Sequence, residues 1–272
     1  MLTVNDRLGS LLDLGLYAGR LLLESGAEVY RTEDTLDRML RAAGAEMVDS
    51  IVTPTGIFLS VHYGGLSGTR IGRVRSRGTN LKRVAAINSL SRALSPGNSP
   101  PTEVLQKLRS IEERTGPEKL IWQLAAAMVG GATFSWLFGA SRLELLGSAL
   151  ASGLVFLLST YVARPRLPRI LADFTGGAIA SSAALSLTVL FPTMLYERVV
   201  LGAIMTLVPG VSLTTAVRDM LSGDLLSGTT GLGEALFIAA AIAAGAGAVL
   251  SLYGPAAGST FAVAVNLSRW IV

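Results

Sequence analysis

The pattern of apolar and polar positions changes at about residue 118. Before that point, apolar residues recur at helical or alternating spacing among many charged residues. Beyond it charges become sparse, and apolar runs approach the ~20 residues that a helix needs to cross a bilayer. The pattern therefore predicts an α-helical integral membrane bundle at 119–272, preceded by a water-soluble α+β domain at 1–118.

The first 118 residues predict the element order α-α-β-β-β-α-α. Leucines and small residues from Leu8 to Leu23 recur every three or four positions, which predicts a first helix. Ser25 to Glu28 reads S-x-x-E, the pattern of a capping box, and predicts a second helix from there to about Ala43. The remaining predicted elements are strands at Glu46 to Thr53, Ile57 to Tyr63 and Thr69 to Arg75, and helices at Asn80 to Leu94 and Thr102 to about Thr115.

Charged residues of this domain allow two interpretations. A carboxylate cluster, formed by Glu24, Glu28, Glu33, Asp34 and Asp37, is open to acid/base or metal chemistry. The arginines nearby, at helical spacing, favour simple ion pairing instead, including the i,i+4 pairs Asp34/Arg38 and Asp37/Arg41. A basic third strand, with Arg70, Arg73, Arg75 and Arg77, favours a solvated sheet face over an acidic partner or lipid headgroups. His62 is interpreted as an ordinary strand residue.

About five membrane spans are predicted. They are Leu120 to Gly139, Leu145 to Ala163, Ile170 to Phe191, Val199 to about Leu221, and Ala235 to Tyr253. Small residues such as Gly177 and Ser181 recur at the spacing that close helix contacts in lipid use. The loop from Arg164 to Arg169 is the most basic and predicts the cytoplasmic side, which puts the N-terminal domain in the cytoplasm. The apolar tail 262–272 is expected at the membrane interface.

The fourth predicted span is broken at Pro209-Gly210, because proline lacks the N–H and glycine relaxes the backbone. A helix N-terminus and an arginine both suit a carboxylate ligand. We therefore predict that a substrate carboxylate binds at Pro209, Gly210, Ser212, Thr214, Thr215 and Arg218. The candidates for a proton-coupling carboxylate are Asp219, Asp224 and Glu234. The alternative is that these charged residues lie in a cytoplasmic loop.

Composition narrows the chemistry further. The chain has 272 residues, a formal charge of +4, no cysteine and one histidine. Disulfides and thiolate metal sites are excluded, and a histidine-based metal site or a Ser-His-Asp triad is disfavoured. We expect no metal, no cofactor and no enzymatic activity. The basic charge is expected to mark cytoplasmic loops rather than nucleic-acid binding. The N-terminus lacks the pattern of a cleaved signal peptide.

Three segments resemble the threonine/serine exporter (ThrE-type) family. They read LLESGAEVYRTEDT at 22–35, VTPTGI at 52–57, and LVPGV at 207–211 continuing to RDMLSGDLLSG at 218–228. The first segment contains a motif formed by Gly26, Glu28, Arg31, Glu33 and Asp34. This motif could gate a transport path, bind a ligand or serve only the fold. The resemblance extends through nearly the whole chain.

The resemblance implies a secondary exporter of small hydrophilic metabolites in the inner membrane, driven by the proton or membrane gradient. It implies threonine and serine as substrates, or a dicarboxylate such as succinate in the split, two-component members. The chain is similar to the larger component of those, which implies a second, small membrane subunit and an oligomer. The alternative hypotheses are a non-transporting membrane sensor or scaffold whose cytoplasmic domain binds a partner and, least favoured, a membrane enzyme.

Overall fold

The computed structural model describes residues 3–95, 97, 99–164 and 166–253, and these form two compact units. The α+β unit contains residues 3–117 together with 210–234. The helical unit contains residues 118–209 together with 235–253. The predicted interfacial tail 262–272, and Pro165 of the predicted cytoplasmic loop, lie outside the described residues.

Ten α-helices and three strands are present in the described part of the chain. In chain order they are α1 (Val4–Glu24), α2 (Val29–Ala42), β1 (Met47–Thr53), β2 (Gly56–Tyr63), β3 (Leu66–Arg73), α3 (Leu81–Ala93), α4 (Pro101–Arg114), α5 (Leu120–Leu137), α6 (Arg142–Leu158), α7 (Arg169–Leu190), α8 (Tyr196–Ile204), α9 (Gly210–Leu221) and α10 (Leu225–Tyr253). A short π-helix, Ser159–Ala163, continues α6.

The α+β unit is built on an antiparallel sheet of order β1-β2-β3, whose inner face packs against α1 and α2. Leucines line the buried stripe of α1, and Leu59 and Ile57 face them from β2. Gly15 and Gly19 allow this close approach, since a Cβ at Gly15 would lie 2.4 Å from Leu59 Cδ2. The sheet therefore fixes the position of both long helices.

The predicted capping box at Ser25 to Glu28 is wrong. Helix α2 begins at Val29, and Glu28 is its N-cap residue without a side-chain cap bond. Residues 25–27 instead end α1. Ser25 is the C-cap of α1, and Gly26 has φ +82°. The Ala27 N–H donates a hydrogen bond to the Leu22 carbonyl at 3.0 Å. This 6→1 bond after a left-handed glycine is a Schellman motif, so Gly26 adopts the conformation that ends α1.

By length and composition, four of the described helices could cross a membrane: α5, α6 with its π-helical extension to Val162, α7 and α10. The predicted fourth span is divided into α8 and α9, both too short to cross a bilayer alone. The predicted break at Pro209-Gly210 is confirmed, because α8 ends at Ile204 and α9 begins at Gly210. The count of five spans is not confirmed.

Within the helical unit, α7 and α10 cross at glycines. A Cβ at Gly177 would lie 2.1 Å from the Ile242 carbonyl oxygen, and a Cβ at Gly245 would lie 1.9 Å from the Phe174 carbonyl oxygen. Real Cβ atoms do not approach backbone this closely, so any larger residue must push the two helices apart. The close packing predicted for Gly177 is confirmed.

Gly245→Ala is expected to lower the thermal stability of the purified protein, because the new methyl group meets backbone that cannot move aside. Overpacking of this kind costs about 1–3 kcal/mol. Gly247→Ala is the matched control on the same helix, since a Cβ there meets nothing within 4 Å. Thermal unfolding in detergent measures both variants. Equal melting temperatures for the two variants would contradict the glycine-mediated crossing.

Candidate functional site

The segment after the Pro-Gly break forms a tight helical hairpin in the α+β unit. Helix α9 packs against the start of α10 through Gly228, where a Cβ would lie 2.1 Å from Met220 Cγ and 2.8 Å from the Met220 nitrogen. Asp224 is placed at the start of α10 and accepts a bond from the Ser227 N–H at 3.1 Å. This is N-capping geometry, so Asp224 has a structural role in the hairpin.

Asp219 on α9 caps helix α2. Its Oδ1 accepts a hydrogen bond from the Val29 N–H at 3.0 Å, and the side chain is buried, with 4% exposed. The first N–H groups of any helix lack partners within the helix, and a side chain normally supplies one from the N-cap position. Glu28 does not do this, so the cap comes from a residue 190 positions further along the chain.

Arg218 makes the second bond between the same helices. Its Nη1 lies 2.6 Å from Glu28 Oε1, and Arg31 Nη1 lies 3.1 Å from Glu28 Oε2. The Glu28 side chain is nearly buried, with 8% exposed, whereas the Arg218 side chain is 62% exposed. We refer to the Asp219–Val29 bond and the Arg218–Glu28 ion pair together as the α2–α9 contact. It joins the two motifs that the sequence presents as separate.

Burial raises the pKa of carboxyl groups at and near this contact. Burial raises the pKa of Asp219 to about 6, and the charges of Asp224 and Glu28 act in the same direction, while N–H groups at the start of α2 oppose the shift. Burial also raises the pKa of Glu33, although its bond from the Val52 N–H lowers it in part. A hydrogen bond to the Glu28 carboxylate raises the pKa of Arg218. Asp219 can therefore gain or lose a proton close to physiological pH.

The other predicted site residues are positioned as follows. The Thr214 and Thr215 hydroxyls donate to carbonyls of their own helix, at Gly210 and Ser212 respectively. Ser212 and Gly210 lie in the first turn of α9, and Pro209 is the last residue before it. Glu234 lies ten residues after Asp224 on α10, about 15 Å away along the axis at 1.5 Å per residue, so these two proton-coupling candidates are not adjacent.

The other carboxylates in and near the first motif make local contacts within the α+β unit. Glu33 Oε1 accepts a hydrogen bond from the Val52 N–H at 2.8 Å, which gives this backbone group of the edge strand β1 a partner. The predicted i,i+4 pairs Asp34/Arg38 and Asp37/Arg41 are confirmed, each at 2.7 Å. Ion pairing is therefore observed for Asp34 and Asp37. Over the described residues, no group of three or more His, Cys, Asp or Glu could hold a metal ion.

The sequence analysis did not predict one ion pair with a buried carboxylate. Glu144 in the helical unit is almost fully buried and accepts bonds from the Leu195 N–H at 2.8 Å and from Arg198 at 3.1 Å. It also forms a capping box with Ser141 at the start of α6. The S-x-x-E spacing at 141–144 was the available signal, since it marks the start of a helix.

The raised pKa of Asp219 predicts a stability effect with a definite sign. The folded protein holds the proton below about pH 6, whereas an unfolded aspartate releases it near pH ~3.9. The folded state therefore binds more protons between about pH 4 and pH 6, and the free energy of unfolding falls as the pH rises through that window. Asp219→Asn keeps an oxygen that can cap α2 but cannot titrate.

The melting temperature of the wild-type chain, measured relative to Asp219→Asn, is accordingly expected to fall from about pH 4 to about pH 6 and to level off above. Asp49→Asn, at an exposed position of β1, is the control and should show no such trend against wild type. A constant difference between wild type and Asp219→Asn across the window would contradict the assignment.

Comparison with known proteins supplies the family. The family model "Putative threonine/serine exporter" (ThrE) matches residues 13–253. A "Probable threonine/serine exporter" of Mycobacterium tuberculosis is 26% identical over 241 residues, which cover 86% of this chain and 44% of the relative. The "Threonine/serine exporter" of Corynebacterium glutamicum is 24% identical over 261 residues, covering 92% of this chain and 53% of the relative.

The chain thus spans about half the length of these curated relatives. No solved structure matches it significantly. The match to the family model extends over most of the sequence and includes both motifs of the α2–α9 contact, together with four helices suited to a membrane. The chain belongs to the ThrE family of threonine/serine exporters and is a multi-pass membrane protein.

Proposed function

We propose that this chain is a component of a secondary exporter of small amino acids such as threonine and serine. Family membership supports export across a membrane. The single observation that carries the substrate class is the α2–α9 contact, where an exposed guanidinium lies against a group of carboxylates.

A zwitterionic amino acid matches this pattern of charge. Arg218 has five N–H donors and uses Nη1 for Glu28, which leaves donors for a substrate carboxylate. The substrate ammonium would pair with Glu28 or with the carboxylates of Asp219 and Asp224. A dicarboxylate such as succinate is less favoured, because its second negative charge would face those same carboxylates. The hydroxyls of Ser212, Thr214 and Thr215 are proposed to contribute polar contacts after local rearrangement.

Coupling to protons is proposed at Asp219 in preference to Asp224 and Glu234. Its pKa of about 6 lets it exchange a proton near neutral pH, and its oxygen caps α2. Because burial in the contact raises the pKa of Asp219, protonation favours the packed α2–α9 contact, and release of the proton leaves a buried charge that weakens it. In this mechanism the proton controls whether Arg218 is held by Glu28 or is released toward substrate.

The cellular arrangement is part of the same proposal. The arginines of the 164–169 loop support a cytoplasmic position for that loop and for the N-terminal domain of 1–118, in an inner membrane. Resemblance to the larger component of split exporters supports a second, small membrane subunit and an oligomeric assembly. The predicted transmembrane domain, 119–272, would then contribute to the transport path. Its segment 210–234 packs in the α+β unit.

A sensor or scaffold is the second candidate, and one observation favours it. The Glu28–Arg218 pair and the threonine hydroxyls are internally satisfied, which a purely structural contact would also show. Such a protein should tolerate loss of Arg218 without any change in solute flux.

Efflux from preloaded cells that lack their own exporters tests the proposal. The panel is threonine, serine and succinate, with the chain alone and with a small partner subunit. Arg218→Ala is expected to reduce amino-acid efflux roughly ten-fold, since loss of a charged hydrogen bond costs about 1.5–3 kcal/mol. Arg38→Ala, which also removes an ion-paired arginine, is the matched control and should transport normally.

Undiminished efflux by Arg218→Ala would overturn the anion site. Absence of any efflux from well-expressed wild type, with the partner present, would favour the sensor or scaffold. Export of succinate rather than amino acids would overturn the substrate class.

A further inference from the structure

The outer face of the sheet, turned away from α1 and α2, carries a row of exposed apolar side chains. Ile51 of β1 is paired with Phe58 of β2, and Phe58 is paired with Ile71 of β3. These three residues are 66%, 46% and 67% exposed, respectively. Single exposed apolar residues are ordinary at a protein surface, whereas a contiguous apolar patch with a polar rim marks an interaction site.

The register of the sheet separates this row from the core. The neighbouring cross-strand pair, Val52 with Ile57, is buried. Ile57 is paired in turn with Gly72, where a Cβ would lie 3.0 Å from Leu16 Cδ2 of α1. Successive residues of a strand point to opposite faces, so the exposed row lies on the face that neither helix covers.

Two charged residues lie at opposite corners of this row. Arg73 of β3 is paired with Gly56, two residues before Phe58. Asp49 of β1 is paired with Ser60, two residues after Phe58. With ~4.8 Å between strands and ~3.4 Å per residue, each charged residue is about 8 Å from Phe58, in opposite directions.

Both charged residues are exposed, and within the described part of the chain neither side chain makes an ion pair or a hydrogen bond. Arg70 differs, because it lies on the inner side of β3 and pairs with Asp13 of α1. The outer face therefore offers a positive and a negative charge, placed symmetrically about an aromatic ring, to a second molecule.

This arrangement is complementary to itself. Consider a two-fold axis that lies between two such faces, passes over Phe58 and is perpendicular to the line from Arg73 to Asp49. It brings each Arg73 opposite the Asp49 of the second copy and places the two Phe58 rings together. The strands of the two sheets then cross steeply, close to the orthogonal class of sheet packing. Such a self-complementary contact is what a two-fold homodimer requires.

We propose that the outer face of the sheet is the surface through which two copies of this chain associate. We refer to Asp49, Ile51, Phe58, Ile71 and Arg73 together as the outer-face patch. A bilayer surface fits this patch less well, because Asp49 would face anionic headgroups. The proposed function includes an oligomer, and the present inference adds its surface and symmetry without depending on transport.

The size of the face determines how the association must be measured. Three strands of seven or eight residues make a face of roughly 350 Å² at ~4.8 Å per strand and ~3.4 Å per residue. A standard stable interface buries ~800 Å² per partner. Association through this face alone is therefore weak in dilute detergent, whereas chains held in one membrane have a high effective concentration.

Cysteine cross-linking of the full chain in native membranes tests the interface, since the chain contains no cysteine. Thr69 is on the same face, two residues before Ile71 and close to the proposed axis, so it lies near its own copy in the dimer. Thr69→Cys should form a covalent dimer with a short bifunctional thiol reagent several times faster than Asp37→Cys. Asp37 is exposed on α2, outside the outer-face patch.

Charge reversal tests the two-fold pairing. Asp49→Arg and Arg73→Asp, each added to the Thr69→Cys chain, should slow cross-linking about ten-fold, because like charges then meet at two symmetric positions. Both reversals in one chain should restore the rate. Coexpression of the two singly reversed chains should also restore it, because each supplies the charge that the other needs. Arg114→Asp, at an exposed position of α4, is the control and should have no effect.

Truncation tests the apolar row. Ile71→Ala should also slow cross-linking of the Thr69→Cys chain, because the apolar area buried between the copies is smaller. Leu81→Ala is the matched control, since Leu81 is an equally exposed apolar residue on α3, outside the patch.

Equal cross-linking of Thr69→Cys and Asp37→Cys would overturn the interface. Charge reversals without effect, or a combination that fails to restore the rate, would overturn the two-fold pairing. A product that contains a different protein, identified by mass spectrometry, would overturn the homodimer in favour of another subunit. Quenching of a bimane label on Thr69→Cys by brominated lipids would overturn it in favour of the bilayer. Cross-linking as predicted, from a chain that exports nothing, would reject the proposed function and support the interface.

Discussion

The α+β unit depends on a helix cap that is supplied from far along the chain. Helix α2 begins at Val29 without a side chain of its own to accept its first N–H groups, and Asp219 provides the acceptor. An uncapped helix start costs about 1 kcal/mol, and more when the groups are buried. The start of α2 is thus complete only when α9 is packed against it. Because the cap is a buried carboxylate with a pKa near 6, its charge follows the pH of its surroundings.

This arrangement links folding to the proposed chemistry. Arg218, the neighbour of the capping residue, is held by Glu28, the residue immediately before α2. A change at Asp219 therefore bears on the helix that carries Glu28 and, through Glu28, on the arginine. The glycines of the α9–α10 hairpin matter for the same reason, since Gly228 lets α10 pack directly on the backbone of Met220.

The sequence was informative where signals are local. Helical periodicity and turn residues predicted the α1 helix, the three strands and the apolar helices, and the Pro209-Gly210 break is observed. The capping-box prediction failed because S-x-x-E at 25–28 competes with the glycine that ends α1, and the tertiary cap removes the need for a local one. Both motifs were recognised, but no local pattern could show that residues 190 positions apart bond to each other.

Thiol cross-linking tests the α2–α9 contact most directly, because the chain contains no cysteine of its own. Cysteines introduced as Glu28→Cys and Arg218→Cys in the full chain should react rapidly with a short bifunctional thiol reagent, since the Asp219 cap still holds the helices together. The comparison is Asp37→Cys with Arg218→Cys, where the first cysteine lies about 13 Å further along α2. Much faster cross-linking of the first pair is the predicted result, and equal rates for both pairs would contradict the contact.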